Sequence, residues 1–239
     1  MRWVPLESNP ELFTEWATSL GLPASQWAYH DIFGLDPELL SMVPQPVQAV
    51  LLLFPVSNAY EEQRQKEDEG VEISQKGTEL KKGEMMWWKQ TIGNACGTMG
   101  LLHSLSNASS VRTSLPSDSP LAKLIDQSAP LPPLERSALL TKSKELARAH
   151  TTAGSGGQTA APQADESVDL HFTCFVRGES GELVELDGRR KGPVIRKEAA
   201  KVEKQEDLLS VAASFVKKHY MEMDPEAVQF NLIALGPAQ

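Results

Sequence analysis

A short apolar run near residue 50 limits the folds that this chain can adopt. Residues 47–54 read VQAVLLLF: the run is apolar throughout from Ala49, β-branched at Val47 and Val50, and bounded by prolines. An apolar run of this length without alternation is typical of a strand that is buried on both faces. We therefore expect a central sheet that is covered on both sides.

Helix-start signals recur before and after this strand. Asn9 precedes Pro10 and Glu11, which combines a capping side chain, a proline at the first helical position and an acid that complements the helix dipole. An apolar stripe at helical spacing then continues to about Gly21. Further helices are predicted to begin at Asp36, at Ser119 and at Pro132, and an amphipathic helix is predicted over 207–221.

The second half of the chain is richer in strands. Residues 170–176 are predicted to pair with 182–186 in a hairpin whose turn is 178–181, and 230–235 form a final apolar strand. The charged run 61–69 is interpreted as a solvated helix end and loop. Residues 151–167, TTAGSGGQTAAPQADES, contain no large apolar side chain. Because such a run buries too little surface to offset its ordering entropy, we expect a mobile loop that is either a linker or a functional lid.

Charge and cysteine content exclude several classes of protein. A net charge of −9 argues against nucleic acid as the main partner, because phosphate contacts need clustered Lys and Arg. The acidic surface fits either attraction of a basic protein or simple solubility. Two cysteines cannot form a disulfide framework, the start lacks a signal-peptide run, and the run 49–54 is too short to span a bilayer. We expect a reduced cytoplasmic protein without membrane association.

Cys96 is the first candidate for chemistry. It follows a turn that contains glycine and asparagine, and a helix is predicted to begin at Ala95 or Cys96. Main-chain N–H groups at a helix start favour a thiolate over a thiol. Gln90, six residues earlier, is placed so that its amide and the Cys96 N–H could bind the oxyanion of a tetrahedral intermediate. The alternative interpretation is a buried structural cysteine.

His171 and Asp187 are the candidate partners of a thiolate. In an alternating strand His171 faces away from Cys174, which we interpret as a core thiol, and the hairpin brings Asp187 close enough to orient the imidazole ring. The alternatives are a histidine satisfied in the core or on the surface and a simple Asp-Gly turn. His103 is interpreted as a packing or surface residue. No Cys-x-x-Cys or His-x-x-x-His pair occurs, so a metal site is not expected.

Three motifs together resemble the ubiquitin C-terminal hydrolase family. They are QTIGNACGT at 90–98, DLHF at 169–172 and ELDGR at 185–189, and further matches are PLESNPE at 5–11, PELLSMVP at 37–44 and AVLLLFP at 49–55. The match covers nearly the whole chain and looks closest to isozyme three of the vertebrate enzymes.

The resemblance implies a mixed α/β (α+β) fold of papain-like type, with a mostly antiparallel central sheet, helices on both sides and a knotted backbone. It implies one domain over 1–239, in which 151–167 is a crossover loop above the active site. It also implies Cys96 as nucleophile, His171 as general base, Asp187 as its orienting carboxylate and Gln90 as oxyanion donor, with no metal or organic cofactor. Leu6, Asp31, Val168 and Val228 match positions that contact ubiquitin in relatives, although ordinary packing or solvation explains each equally well.

Two departures from the family pattern stand near the predicted nucleophile. Trp87-Trp88 is bulkier than expected, and Gly93 replaces a common serine. We expect neither to touch a catalytic group.

The predicted function is a monomeric, thiol-dependent deubiquitinase that cleaves ester, thioester or amide bonds at the C-terminal glycine of ubiquitin, and that favours small or unfolded leaving groups. Ubiquitin-like modifiers are further candidate substrates. Two alternatives remain at this point: a protein that binds or stabilises ubiquitin with little turnover, and a general papain-like protease.

Overall fold

The computed structural model describes residues 1–157 and 169–239 and consists of short helices and strands. The helices are α1 (Pro10–Ser19), α2 (Pro37–Leu40), α3 (Asn58–Glu67), α4 (Cys96–Asn107), α5 (Ser109–Ser114), α6 (Pro120–Ser128), α7 (Pro133–Leu140), α8 (Lys144–Ser155) and α9 (Leu208–Val216). The strands are β1 (Trp27–Asp31), β2 (Ala49–Pro55), β3 (Leu170–Arg177), β4 (Leu183–Leu186), β5 (Val194–Ile195) and β6 (Asn231–Pro237). Single 3-10 turns occur at Leu80–Lys82 and Gln205–Asp207, and a π-helical turn, Lys217–Met221, follows α9.

One sheet joins the six strands in the order β1-β6-β2-β3-β4-β5. Every pairing of neighbouring strands is antiparallel, which confirms the predicted α+β class. The hairpin of β3 and β4 pairs Cys174 with Leu186 and Arg177 with Leu183, as its turn signal predicted. The register also places His171 opposite Phe54 of β2.

Two apolar layers cover the two faces of the sheet. On one face, Leu51 and Phe172 pack with side chains of α1, α4, α6 and α8. On the other face, Val50 and Phe175 pack with side chains of α9, among them Phe215. Strand β2 contributes to both layers, so the prediction of a strand buried on both faces is confirmed.

Local signals account for several helix ends. The Asn9 side chain accepts hydrogen bonds from the N–H groups of Glu11 and Leu12, so α1 begins where its cap predicted. Ser119 caps α6 in the same way. Among the described residues, no helix combines the length and apolar character needed to cross a membrane.

The predicted loop over 151–167 is too long at its N-terminal end, because α8 continues to Ser155. Ser143 caps this helix, and Leu146, Ala149 and Ala153 form its buried stripe. Its small residues lie close to the first residues of the chain, since a Cβ added at Gly154 would be in ordinary van der Waals contact with Val4 at 3.5 Å. Residues 158–167 of the predicted loop lie outside the described residues.

Candidate active site

The turn before Cys96 places its sulfur at the start of a helix. Asn94 adopts a left-handed conformation with φ 60°, which asparagine tolerates better than most residues, and α4 then begins at Cys96 as predicted. The N-cap residue of α4, Ala95, makes no side-chain capping bond, and main-chain N–H groups at a helix start attract an anion. Cys96 is partly exposed, whereas Cys174 is fully buried in the core, as predicted.

Close packing brings this helix onto the strand that carries His171. Gly100 of α4 faces the sheet, and a Cβ there would lie 2.7 Å from Leu51 and 3.8 Å from Phe172. The missing side chain therefore allows α4 to approach the sheet closely at β2, beside β3. A helix start and a strand that are far apart in the sequence meet at one site as a result.

His171 and Asp187 form a buried hydrogen-bonded pair. The Nε2 of His171 donates to Oδ1 of Asp187 at 2.7 Å, and the two residues are 3% and 0% exposed. Because Nε2 is engaged with the carboxylate, Nδ1 is the ring nitrogen left for Cys96, which interacts with the ring through its thiol. The structure thus brings together three of the four residues predicted to be catalytic.

The charges of these three groups support one another. Burial alone would raise the pKa of the Cys96 thiol, but the His171 ring and main-chain hydrogen bonds from Phe172 and Gly97 outweigh it and lower that pKa. Burial would likewise lower the pKa of His171, but the charge of Asp187, its hydrogen bond and the Cys96 sulfur raise it. These opposite shifts favour a thiolate beside an imidazolium in the resting site.

Asp187 is held by four further donors. Its Oδ1 also accepts from Arg189 N at 2.7 Å and its Oδ2 from the Tyr60 hydroxyl at 3.2 Å. Its carbonyl oxygen accepts from Trp87 Nε1 at 2.8 Å and from Arg190 N at 3.1 Å. Burial alone would raise the pKa of Asp187, but His171 and the Arg189 N–H bring it well below the usual value. Asp187 therefore both begins the Asp-Gly turn and supplies the carboxylate that binds His171.

Ion pairs attach the chain after Asp187 to α3. Arg189 pairs with Glu61 at 2.6 Å, and the fully buried Arg190 pairs with Glu67 and Asp68, each at 2.8 Å. The prediction of a solvated helix end and loop over 61–69 is wrong for Asp68, which is buried, whereas Glu61 and Glu67 stay partly exposed within their ion pairs. These acids face the basic residues that follow Asp187, and the buried Arg190 would lose its counter-charges if Glu67 and Asp68 were removed.

Gln90 lies beside the turn that carries Asp187. Its main-chain N donates to Gly188 O at 2.9 Å, and its side-chain Nε2 donates to Ile92 O at 3.1 Å. The bond to Ile92 engages one N–H of the side-chain NH₂ group, and the second N–H is the candidate oxyanion donor.

Side chains, rather than a neighbouring strand, hold the segment that leads to Gln90. Both main-chain polar groups of Met86 bond to the Asn107 side chain. The other contacts are Trp88 N to His103 Nε2, Arg136 Nη1 to Trp87 O and Ser137 Oγ to Lys89 O. These bonds fix the segment without adding it to the sheet.

The structure corrects the expectation for Trp87-Trp88 and shows why residue 93 is a glycine. Trp87 does touch a predicted catalytic residue, since its indole binds the main chain of Asp187. A Cβ at Gly93 would lie 2.6 Å from Cγ of Arg2, so the glycine makes room for that side chain.

The four predicted ubiquitin contacts occupy different environments. Leu6 is 7% exposed and packs on the first turn of α4, whereas Val228 is 85% exposed. Asp31, at the end of β1, is partly exposed, and burial raises its pKa. Val168 lies outside the described residues. Their contacts with ubiquitin remain predictions.

Tyr60 and Trp87 are site residues that the sequence prediction missed. No local pattern marks either one, because both reach Asp187 from more than 90 residues away in sequence. The Arg189 N–H had a signal, since Asp at the first position of an Asp-Gly turn often accepts from the residue two positions later.

Comparisons with known proteins find one family and several related sequences. The family model described as "Ubiquitin carboxyl-terminal hydrolase, family 1" matches residues 3–222. The chain is 39% identical to ubiquitin carboxyl-terminal hydrolase 3 of Arabidopsis thaliana over 98% of its own length and 94% of that protein's length. It is 38% identical to a ubiquitin carboxyl-terminal hydrolase of Aplysia californica, and the match covers 94% of this chain and 97% of that protein.

Solved structures share the fold. The catalytic domain of Trichinella spiralis UCH37, bound to ubiquitin vinyl methyl ester, superposes with a TM-score of 0.73 at 22% identity and covers 100% of this chain and 97% of that one. A second complex, of Trichinella spiralis UCH37 with the same ligand, superposes with a TM-score of 0.69 at 21% identity. The match covers 98% of this chain and 82% of that one. The family match, the relatives and the shared fold together show that this chain belongs to family 1 of the ubiquitin carboxyl-terminal hydrolases.

Proposed function

We propose that this chain hydrolyses ester, thioester or amide bonds at the C-terminal glycine of ubiquitin, with Cys96 as the nucleophile. The observation that carries the proposal is the arrangement of Cys96, His171 and Asp187, in which the thiol pKa is lowered and the imidazole pKa is raised. Family membership supports ubiquitin as the substrate.

The reaction proceeds in two halves. The Cys96 thiolate attacks the glycine carbonyl, and the resulting oxyanion receives hydrogen bonds from the Cys96 main-chain N–H and the second side-chain N–H of Gln90. The His171 imidazolium gives its Nδ1 proton to the leaving amine, alcohol or thiol, and an acyl-thioester remains. His171, now neutral, takes a proton from water, which attacks the thioester and releases ubiquitin. Asp187 keeps the ring oriented throughout.

The connection between α8 and β3 is proposed to cross the active site and to limit the leaving group to small or unfolded chains. Its two ends support this placement. Gly154, in the last turn of α8, packs near Leu6, which itself lies on Gly97 beside Cys96. Strand β3 begins at Leu170, next to His171. Residues 1–239 are proposed to form one domain, because the site takes residues from both sides of this connection.

Ubiquitin is the proposed partner, with ubiquitin-like modifiers as further candidate substrates, and Leu6, Asp31, Val168 and Val228 are proposed contacts. We also propose that the protein is a cytoplasmic monomer with a knotted backbone and that it is similar to isozyme three of the vertebrate enzymes. The two cysteines support a reducing compartment: both are free, and Cys96 must stay reduced to act.

A ubiquitin with a C-terminal electrophile tests the nucleophile. It should label the wild type at a single thiol, leave Cys96→Ala unlabelled, and label Cys174→Ala, the matched control, at the wild-type rate. Labelling that survives Cys96→Ala would overturn the proposal.

Turnover of a fluorogenic ubiquitin amide separates hydrolysis from mere binding. We expect turnover that is lost in Cys96→Ala while ubiquitin affinity is retained. Tight binding with negligible turnover in the wild type would indicate a ubiquitin-binding protein instead, and cleavage of plain peptides would indicate a general protease.

A further inference from the structure

The first residues of the chain lie against the turn that precedes Cys96. Trp3 N donates to Gly93 O at 2.9 Å, and Gly93 N donates to Met1 O at 3.1 Å. Through these two bonds the N-terminal segment, residues 1–6, lies along one side of the turn. A shift of this segment would move the residues that set the start of α4.

The same segment is packed between two helices. A Cβ added at Gly97, in the first turn of α4, would lie 3.1 Å from Cβ of Leu6. A Cβ added at Gly154, in the last turn of α8, would lie 3.5 Å from Cβ of Val4. A movement of α8 would therefore shift the N-terminal segment and, through it, the helix that carries Cys96.

His150 of α8 contacts both the N-terminal segment and α4. It is 2% exposed, its Nδ1 lies 2.8 Å from the Thr98 hydroxyl, its Nε2 lies 2.8 Å from Val4 O, and its ring lies 4.1 Å from the Trp3 ring. A carbonyl oxygen only accepts, so Nε2 carries a proton. In the neutral ring Nδ1 then accepts from Thr98. Burial lowers the pKa of His150 to about 4, although its bond to Val4 opposes the shift, and the ring is therefore neutral near pH 7.

We propose that His150 is a positioning residue for Cys96: it fixes the first turn of α4 through Thr98 and holds the N-terminal segment against the preceding turn through Val4. The inference rests on the proposed function, in which Cys96 is the nucleophile. Thr98 lies two residues after Cys96, within the turn whose N–H groups face the sulfur. A displacement of about 1 Å at a reacting group can cost about a hundredfold in rate, so loss of one of the two links should cost less, about tenfold.

Thr98→Val and Thr98→Ser form a matched pair of variants. Valine keeps the shape of the side chain and removes the hydroxyl, whereas serine keeps the hydroxyl. With the fluorogenic ubiquitin amide, we expect Thr98→Val to lower kcat about tenfold with KM within about twofold. Alkylation of Cys96 by chloroacetamide should slow in parallel, and Thr98→Ser should stay within about twofold of the wild type by both measures.

Different results would contradict the positioning role of His150 and the proposed function. A merely structural hydroxyl would lower the melting temperature of Thr98→Val but leave kcat of the folded protein and the alkylation rate equal to those of Thr98→Ser, and this result would overturn the positioning role. Failure of the proposed function would appear as activity or labelling in Cys96→Ala, whatever residue stands at 98.

A second pair of variants serves if Thr98→Val does not fold. His150→Gln keeps one donor and one acceptor on the side chain, whereas His150→Leu keeps neither. We expect His150→Gln to retain several times the kcat and alkylation rate of His150→Leu. Equal rates in the two folded variants would contradict the proposal.

Discussion

The indole nitrogen of Trp87 donates a hydrogen bond to the main-chain carbonyl oxygen of Asp187 at 2.8 Å. The adjacent Trp88 is equally buried, but its indole donates to Ser106 at 3.0 Å, away from Asp187. The Trp87 indole thus supports the turn that carries Asp187, whereas the Trp88 indole binds a side chain of α4.

Trp87→Phe should therefore impair catalysis, whereas Trp88→Phe should not. Both changes remove one buried hydrogen bond and leave a small cavity, so each should cost about 1–3 kcal/mol of unfolding free energy. We expect kcat to fall about tenfold only in Trp87→Phe, because only there does the turn with Asp187 lose an anchor. Urea unfolding and steady-state kinetics measure the two effects. Equal kcat in the two variants would show that the Trp87 bond has no influence on the reaction.

The hydroxyl of Tyr60 offers a second test of how Asp187 is held. It donates to Oδ2 of Asp187 at 3.2 Å, while the hydroxyl of the nearby Tyr220 donates to Glu185 at 2.8 Å. Phe54 packs against both rings. Tyr60→Phe should lower kcat/KM about three- to tenfold, because a hydrogen bond to a charged group contributes about 1.5–3 kcal/mol and only part of it bears on alignment. Tyr220→Phe, the control, should change kcat/KM less than twofold. A larger loss in the control would place the critical hydroxyl on Tyr220 instead.

Much of this site follows from local sequence, and the rest depends on long-range packing. The turn with glycine and asparagine before Cys96 predicts the helix start, and the hairpin signal brings His171 and Asp187 together. The sequence does not predict Trp87, Tyr60 or His150, whose partners lie at least 52 residues away.

Residues 151–155 show the same limit for secondary structure. Small polar residues and a glycine predict a loop there, yet they form the last turn and a half of α8, where Ala153 and Gly154 are buried and Gly154 lies beside Val4 of the N-terminal segment. Composition indicates how much surface a segment can bury by itself, but it does not indicate which other part of the chain packs against that segment.

The opposite pKa shifts of Cys96 and His171 predict a bell-shaped pH dependence of turnover. As pH falls through the lowered pKa of Cys96, the thiolate takes a proton and activity is lost. As pH rises through the raised pKa of His171, the proton needed by the leaving group is lost. The acidic limb should lie below the ordinary thiol value of about 8.5, and the basic limb above the ordinary imidazole value of about 6.5.

The Asp187→Asn variant should be active over a narrower range of pH. The charge of Asp187 is the main influence that raises the pKa of His171, so without it burial should lower that pKa, and the thiolate should lose its charged partner. We expect the pH dependence of Cys96 alkylation to move upward by about one unit or more. The Cys174→Ala background ensures that a single thiol reacts. An unchanged alkylation profile would mean that His171 is not the group that lowers the Cys96 pKa.

Two buried imidazoles predict that stability rises with pH between pH 5 and 6. Burial lowers the pKa of His103 to about 3, despite the opposing charge of Asp187, and that of His150 to about 4. In the unfolded chain both titrate near 6.5, so in this window the unfolded state binds about two more protons than the native state. The free energy of unfolding should therefore increase by up to about 2.7 kcal/mol per pH unit. His171 has a raised pKa and is protonated in both states below pH 6, so its contribution is complete there and declines only at higher pH.

His103→Gln isolates one of the two protons. The Nε2 of His103 accepts from Trp88 N at 2.9 Å, and the side-chain oxygen of glutamine offers an acceptor for the same N–H. Urea unfolding at pH 5.0, 5.5 and 6.0 should give a slope in this variant about half that of the wild type, because only His150 still takes up a proton on unfolding. A wild-type free energy of unfolding that is flat across this range would mean that the two imidazoles already carry protons in the native state. The neutral ring on which the link from Val4 through His150 to Thr98 depends would then be wrong.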